Sequence, residues 1–204
     1  IKSFTTITEK LEPEILTKLI TSYLTAMTDI AITYGGTVDK YIGDAIMIFF
    51  GDPSSKGKKN DALACVSMAL QMKKALRILR KGWKETGLSE SLDVRMGIHS
   101  DVCTVGNFGS TDRLDYTVLG NGVNLASRLE SSANSNEILI SENTYNLVKN
   151  KIKCNYYDKI QVKGKSHPIK TFQVVRKVQS QKISQRINAT SEGFSLSIDK
   201  KKIK

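Results

Sequence analysis

The chain has 204 residues, of which 40% are hydrophobic and 25% are charged, which suits one globular domain with a sizeable core. No apolar run approaches the roughly 20 residues that cross a bilayer, so the sequence predicts no membrane contact by this segment. The formal net charge is +11, but the segment from Arg176 onward carries eight basic and two acidic residues and accounts for +6 of it. Without interleaved aromatic and basic residues, this charge does not predict a nucleic-acid partner.

The three cysteines, Cys65, Cys103 and Cys154, are scattered and show no CxxC spacing. Their odd number argues against a disulfide framework, and their spacing argues against a zinc site. The sequence therefore predicts free thiols in a reducing cytoplasm.

The first predicted elements are a long helix and a hairpin. From Pro13 to Tyr34, apolar residues recur every three or four positions, which predicts an amphipathic helix. The segments Thr37 to Ile42 and Ala45 to Phe50 are rich in β-branched and aromatic residues. They are predicted to form two strands joined by a tight turn at Gly43-Asp44.

The later elements mix helices and strands. Helices are predicted over Asp61 to Lys81, over Asn121 to Ser131 and from Ser141. Strands are predicted near Val94 to Ile98, Val102 to Val105, Asp115 to Val118, Glu137 to Ile140, Asn155 to Val162, and Ile169 to Val175.

Regular βα alternation is missing and hairpins recur. This pattern predicts an α+β sandwich with helices packed on a largely antiparallel sheet. The domain is expected over residues 1–175, followed by a basic, flexible tail over residues 176–204 that is rich in Gln, Ser and Lys.

Asp44 is the first candidate for chemistry, because a tight turn between two apolar strands would present its carboxylate at a rigid tip. Mg²⁺ takes one or two protein carboxylates and fills its other positions from water and substrate phosphates. The alternative is an ordinary Asp in a turn, a position that Asp favours on its own account.

Several blocks of the sequence, taken together, resemble the catalytic domain of class III nucleotidyl cyclases. The blocks occur in the family's order and together span Ile1 to about Val175: Ile1 to Thr5, Asp39 to Met47, Arg95 to Ser100 with Val105 to Gly109, Asp115 to Leu129, and Val162 to Lys165.

The resemblance implies a ferredoxin-like (palm-like) fold, a homodimer with substrate at the subunit interface, and two divalent metal ions, Mg²⁺ or Mn²⁺. The implied reaction is the conversion of ATP into 3′,5′-cyclic AMP and pyrophosphate, in which the ribose 3′ hydroxyl attacks the α-phosphate. It also implies a cytoplasmic domain and regulatory domains outside this segment.

Residue roles follow from the same resemblance. The metal contacts would be the Asp44 carboxylate and the Ile1 carbonyl, together with an Asp that the family places immediately before Ile1. Phosphate contacts would come from the amides of Phe4, Thr5 and Gly43 and from Lys163, with Lys165 as the nearby alternative.

The resemblance assigns catalysis and recognition of the purine base to four further positions. Asn124 would position the ribose and Arg128 would stabilise charge on the α-phosphate; the alternative is a capping Asn and a solvated Arg. Lys40 and Thr117 would recognise the purine edge, because a Lys donor and a hydroxyl acceptor complement adenine, whereas guanine would favour a carboxylate at position 40.

The expected site is composite. Asp44, Lys40 and the phosphate amides are expected from one protomer, and Thr117, Asn124, Arg128 and Lys163 from the other. Two alternatives remain open: a non-catalytic cyclase-like module that binds nucleotide or only dimerises, and a guanylate cyclase.

Overall fold

The computed structural model describes residues 1–85, 92–161 and 168–178, together with the backbone of residues 183–190 and 193–200. Within these ranges the helices are α1 (Phe4–Thr8), α2 (Pro13–Thr33), α3 (Lys58–Glu85), α4 (Asn121–Ser132) and α5 (Glu142–Val148). The long helices α2 and α3 pack against each other.

The strands of the domain form one sheet and two hairpins. They are β1 (Thr37–Ile42), β2 (Ala45–Phe49), β3 (Met96–Ile98), β4 (Thr104–Ser110), β5 (Arg113–Leu119), β6 (Ile138–Ser141), β7 (Ile152–Ile160) and β8 (Ile169–Lys177). The sheet has the order β3-β6-β8-β7, while β1 pairs with β2 and β4 with β5. The β3–β6 pair is parallel and the others are antiparallel, so the predicted α+β architecture is confirmed.

The core follows from the helical spacing. Leu19, Tyr23, Met27 and Ala31 recur every four residues on one face of α2, and all four are buried against α3. A second cluster, which includes Val66 of α3, lies under the sheet. Each large apolar side chain buried in this way stabilises the fold by about 1.5–3 kcal/mol.

Within the described residues, α2 is long and apolar enough to cross a membrane by length and composition, with a mean hydropathy of 1.3. The expectation that no apolar run approaches this length is corrected for this helix. Its buried face packs in the core beside α3, and the same composition is found in core helices of globular domains.

The cysteine prediction is confirmed, because Cys65, Cys103 and Cys154 are all free. Burial raises the pKa of Cys65 to about 12 and that of Cys154 to about 11. Burial and then the Asp101 carboxylate raise the pKa of Cys103, while a hydrogen bond from the Gly122 backbone acts in the opposite direction.

After β8 the chain forms a further antiparallel hairpin, β9 (Ile183–Thr190) and β10 (Gly193–Lys200). The sequence predicts a weakly ordered tail here from its polar composition. The backbone instead pairs in register from Ile183 with Lys200 to Thr190 with Gly193.

Candidate active site

The β1–β2 hairpin presents Asp44 at its tip, as the sequence predicts. Ile42 pairs with Ala45, so Gly43 and Asp44 form the two-residue turn. Gly43 has φ of 60°, a left-handed conformation that glycine adopts without steric cost. The Asp44 side chain is 20% exposed, so its carboxylate is accessible beside the turn.

The start of the chain reaches this tip. The backbone nitrogen of Ile1 donates to Oδ2 of Asp44. Helix α1 begins at Phe4, so the amides of Phe4 and Thr5 lie in its first turn, where helix amides have no intrahelical acceptor. Ile1, the first turn of α1 and the hairpin tip therefore form one group, which we call the acidic half-site.

The acidic half-site fits a hard divalent cation in part. The Asp44 carboxylate is partly exposed and supplies one oxygen ligand of the kind that Mg²⁺ prefers. The described residues include no group of three or more His, Cys, Asp or Glu that could hold a metal ion. A single carboxylate is compatible with Mg²⁺ when substrate phosphates and water supply its other ligands.

The negative charge of Asp44 also affects the pKa of Tyr23 in α2. Burial raises the pKa of the Tyr23 phenol well above its ordinary value, and the negative charges of Asp44 and then Glu130 raise it further. The phenol therefore stays neutral across the physiological range.

A β-bulge in β1 turns Asp39 inward. Val38 pairs with Ile48 and Lys40 with Met47, which leaves Asp39 as the extra residue. Successive side chains in a regular strand point to opposite faces, and the bulge breaks this alternation. As a result, Oδ1 of Asp39 lies 3.4 Å from Nζ of its neighbour Lys40.

Asp39 also holds β5. Oδ2 of Asp39 accepts a hydrogen bond from the Thr117 hydroxyl at 2.6 Å and another from the Val118 amide at 3.2 Å. Lys40 and Thr117 of one chain therefore meet at the same carboxylate. This placement contradicts the expectation that the two residues come from opposite protomers, and the physical reason is the bulge.

Helix α4 carries Asn124 and Arg128 on its outer face. Both residues are exposed, whereas Leu125 and Leu129 on the inward face are buried against Leu139. Within the described residues neither the Asn124 amide nor the Arg128 guanidinium has a hydrogen-bond or ion-pair partner. Both side chains are thus available to a ligand or to a second copy of the chain.

A pocket of about 480 Å³ lies at the start of α4. Residues from the end of β5 and the first turn of α4 line it: Val118, Leu119, Gly120, Asn121, Val123 and Asn124. Thr117 immediately precedes this lining and is 5% exposed. We call Lys40, Thr117, Asn124 and Arg128 the basic half-site.

The position of α4 depends on Gly97 of β3. A Cβ at Gly97 would lie 2.2 Å from the Ala126 carbonyl oxygen and 2.3 Å from the Glu130 amide nitrogen. The helix backbone therefore approaches the strand more closely than any side chain allows. Arg95 braces the same contact, because its Nε lies 2.9 Å from Oε1 of Glu130.

We expect Gly97→Ala to lower the free energy of unfolding by about 1–3 kcal/mol, because α4 must move off β3. Urea denaturation measures this change. Gly82→Ala is the matched control, since Gly82 lies in α3 and a methyl group added there would meet nothing within 4 Å, so Ala should be neutral or stabilising. Equal stabilities of the two variants would contradict the close packing.

His99 lies in a polar network beside the site. Its side chain is 4% exposed, with Nδ1 2.7 Å from the Ser141 hydroxyl and Nε2 3.3 Å from Oδ2 of Asp101. Ser141 also caps α5 by accepting from the Thr144 amide. The burial and these contacts indicate a structural role for His99.

Among the described residues, no hydrogen bond or ion pair joins the acidic half-site to Thr117, Asn124 or Arg128. Lys163 lies outside the described residues. The family resemblance gives no role to Asp39, but an Asp inside the strand TVDKYI is unusual, and this could have indicated a special role.

Comparison with known proteins identifies the family. Residues 1–176 match the model of the adenylate and guanylate cyclase catalytic domain. The adenylate cyclase of Anabaena cylindrica is 34% identical over 183 residues, covering 85% of this chain and 35% of that protein.

Two solved structures share the fold. The adenylyl cyclase CyaB from P. aeruginosa has a TM-score of 0.83 and 50% identity, covering 89% of this chain and 91% of that chain. The guanylyl cyclase Cya2 has a TM-score of 0.82 and 33% identity, covering 90% of this chain and 92% of that chain.

The chain spans 35% or less of the length of three curated relatives that it matches. The family model nevertheless covers the whole domain up to β8. The chain therefore belongs to the adenylate and guanylate cyclase catalytic domain family.

Proposed function

We propose that this domain converts ATP into 3′,5′-cyclic AMP and pyrophosphate at a site assembled from two copies of the chain. The observation that carries the choice of ATP is the placement of the Lys40 ammonium and the Thr117 hydroxyl at one carboxylate, Asp39. A cation donor beside a hydroxyl acceptor complements the N1 acceptor and the N6 amino donor of adenine.

The acidic half-site binds the polyphosphate. The first-turn amides of Phe4 and Thr5, together with the amide of Gly43, bind phosphate oxygens, and the Asp44 carboxylate and the Ile1 carbonyl would hold the metal ions. Two divalent ions, when bound there, lower the pKa of the ribose 3′ hydroxyl and neutralise the leaving pyrophosphate.

The basic half-site of the second copy completes the reaction. Asn124 holds the ribose so that its 3′ oxygen is in line with the α-phosphate. The new bond forms between that oxygen and phosphorus, the bond to the pyrophosphate oxygen breaks, and the hydroxyl proton is released to water. Arg128 stabilises the charge that builds on the α-phosphate, and Lys163 contacts the leaving phosphates.

The partner is a second copy of this chain. Within the described residues, the large exposed apolar side chains include residues at the hairpin tip and along the β4–β5 arm: Tyr41, Ile42, Val102, Leu114, Tyr116 and Leu119. Exposed apolar side chains that cluster in this way mark interaction surfaces. We propose that the dimer buries these side chains and pairs Asn124 and Arg128 of one copy with Asp44 of the other.

The proposed cellular location follows from the ATP substrate and from the free thiols. We place the domain in the cytoplasm, where ATP is available and the three thiols stay reduced. The longer relatives support regulatory domains outside this segment.

Two alternatives remain open. One is a non-catalytic module that binds nucleotide, and the other is a guanylate cyclase, which the similarity to the guanylyl cyclase Cya2 favours. Incubating the full-length protein with Mn²⁺ and either ATP or GTP, and identifying the product by mass spectrometry, separates them. Cyclic AMP supports the proposal, cyclic GMP alone replaces it with a guanylate cyclase, and no cyclic product replaces it with the non-catalytic module.

A further inference from the structure

Asp39 is buried and only partly hydrogen-bonded, although it belongs to a hairpin that is exposed at its tip. Its side chain is 1% exposed, and it lies at the bulge that turns it away from the regular alternation of β1. Among the described residues, Oδ1 accepts no hydrogen bond although it is buried. A buried carboxylate is costly unless it is paired, so this arrangement calls for an explanation.

The Thr117 hydroxyl is constrained by this carboxylate. A hydroxyl has one proton and two lone pairs, so it can donate once and still accept. The 2.6 Å bond to Oδ2 of Asp39 uses the proton, because an ionised carboxylate can only accept. Any further partner of this hydroxyl must therefore be a donor.

Lys40 is constrained by the other oxygen of the Asp39 carboxylate. Its ammonium lies 3.4 Å from Oδ1 of Asp39, and moving it away would leave the buried oxygen without a nearby positive charge. An ammonium has three protons, so Lys40 can remain near Asp39 and still donate to a ligand.

We propose that Asp39 is a positioning residue for base specificity: it fixes Thr117 as an acceptor and Lys40 as a donor, which together select adenine over guanine. Guanine would set its O6 acceptor against the Thr117 lone pairs and its N1 proton against the Lys40 ammonium. This inference rests on the proposed function. It adds the residue of the same chain that causes Lys40 and Thr117 to select adenine over guanine.

The test compares kcat/KM for ATP and for GTP in the full-length protein with Mn²⁺. Asp39→Ala removes the acceptor and frees the Thr117 hydroxyl to donate to O6 of guanine. We expect the ATP-to-GTP ratio of kcat/KM to fall by about 10-fold or more, since unpaired polar groups dominate such discrimination. Asp39→Leu removes the same acceptor while filling the space, and serves if the alanine variant is unstable.

The conservative variant and a double mutant distinguish positioning from general support of the fold. Asp39→Asn can still accept from Thr117 and Val118 but lacks the charge beside Lys40, so its ratio should fall by less than that of Asp39→Ala. Thr117→Val should lower the ratio by itself. Adding Asp39→Ala to Thr117→Val should change the ratio by less than Asp39→Ala does alone, because the hydroxyl is gone and only the pairing of Asp39 with Lys40 remains to be lost.

The outcomes separate this inference from the proposed function. Equal losses for ATP and GTP in Asp39→Ala, with an unchanged ratio, overturn the role of Asp39 while the unaltered protein remains an adenylate cyclase. Strictly additive effects of the two substitutions on the ratio also overturn it. Absence of cyclic AMP from the unaltered protein overturns the proposed function and this inference with it.

Discussion

Asp44→Asn is expected to reduce cyclase activity by about 10³-fold, because loss of a metal-binding carboxylate removes several kcal/mol of transition-state stabilisation. The amide has the size of the carboxylate but no charge, so the hairpin should keep its shape around Gly43. Initial rates with Mn²⁺ and ATP measure the loss, and electron paramagnetic resonance of Mn²⁺ measures binding directly.

The matched control is Asp29→Asn, which neutralises an exposed carboxylate on α2. This variant should retain full activity and Mn²⁺ binding. The thermal unfolding midpoints of the two variants should agree within a few degrees. Normal turnover by Asp44→Asn would rule out the acidic half-site as the metal position.

Arg128→Ala is expected to lower kcat by at least about 10²-fold with a smaller change in KM, because the guanidinium acts on charge that develops in the transition state. Its exposed position on α4, with no partner in the described part of the chain, means that its removal leaves no buried group unpaired. The stability of the fold should therefore be unaffected.

Arg77→Ala supplies the control for Arg128, since Arg77 is an exposed arginine on the other long helix α3. Its kinetics should match those of the unaltered protein. Arg128→Lys keeps the charge without the planar fork and should recover only part of the rate. A rise in KM with unchanged kcat in Arg128→Ala would assign the residue to ground-state binding instead.

Local patterns predict the framework of the acidic half-site. Helix α2 and the hairpin β1–β2 follow from periodicity and turn chemistry, so the placement of Asp44 at the tip could be predicted. Helix α1 could not be predicted, because five residues are too few to show helical periodicity.

The ends of a strand are harder to predict where backbone hydrogen bonds extend it through residues that usually form turns. The segment from Gly106 to Arg113 is polar and rich in glycine, which predicts a hairpin connection between strands that end at Val105 and begin at Asp115. The structure continues β4 to Ser110, which pairs with Arg113 at the start of β5. Backbone hydrogen bonds between strands do not depend on side-chain type, so the ladder extends through these residues.

The relation between Lys40 and Thr117 could not be predicted from the sequence, because it depends on a bulge. The extra residue in β1 appears only when the register against β2 is known. The resemblance identifies both residues but not the carboxylate that joins them, and the expectation that they come from opposite protomers is therefore corrected only by the structure. The roles of Asn124, Arg128 and Lys163 remain predictions.

The shared site is tested most directly by mixing two inactive variants, Asp44→Asn and Arg128→Ala, under conditions that allow subunit exchange. In an equal mixture half of the dimers contain one copy of each, and each such dimer has one intact site of two, so activity should recover to about a quarter of that of the unaltered protein. A mixture no more active than its separate components would contradict the proposal that one copy supplies Asp44 and the other supplies Arg128.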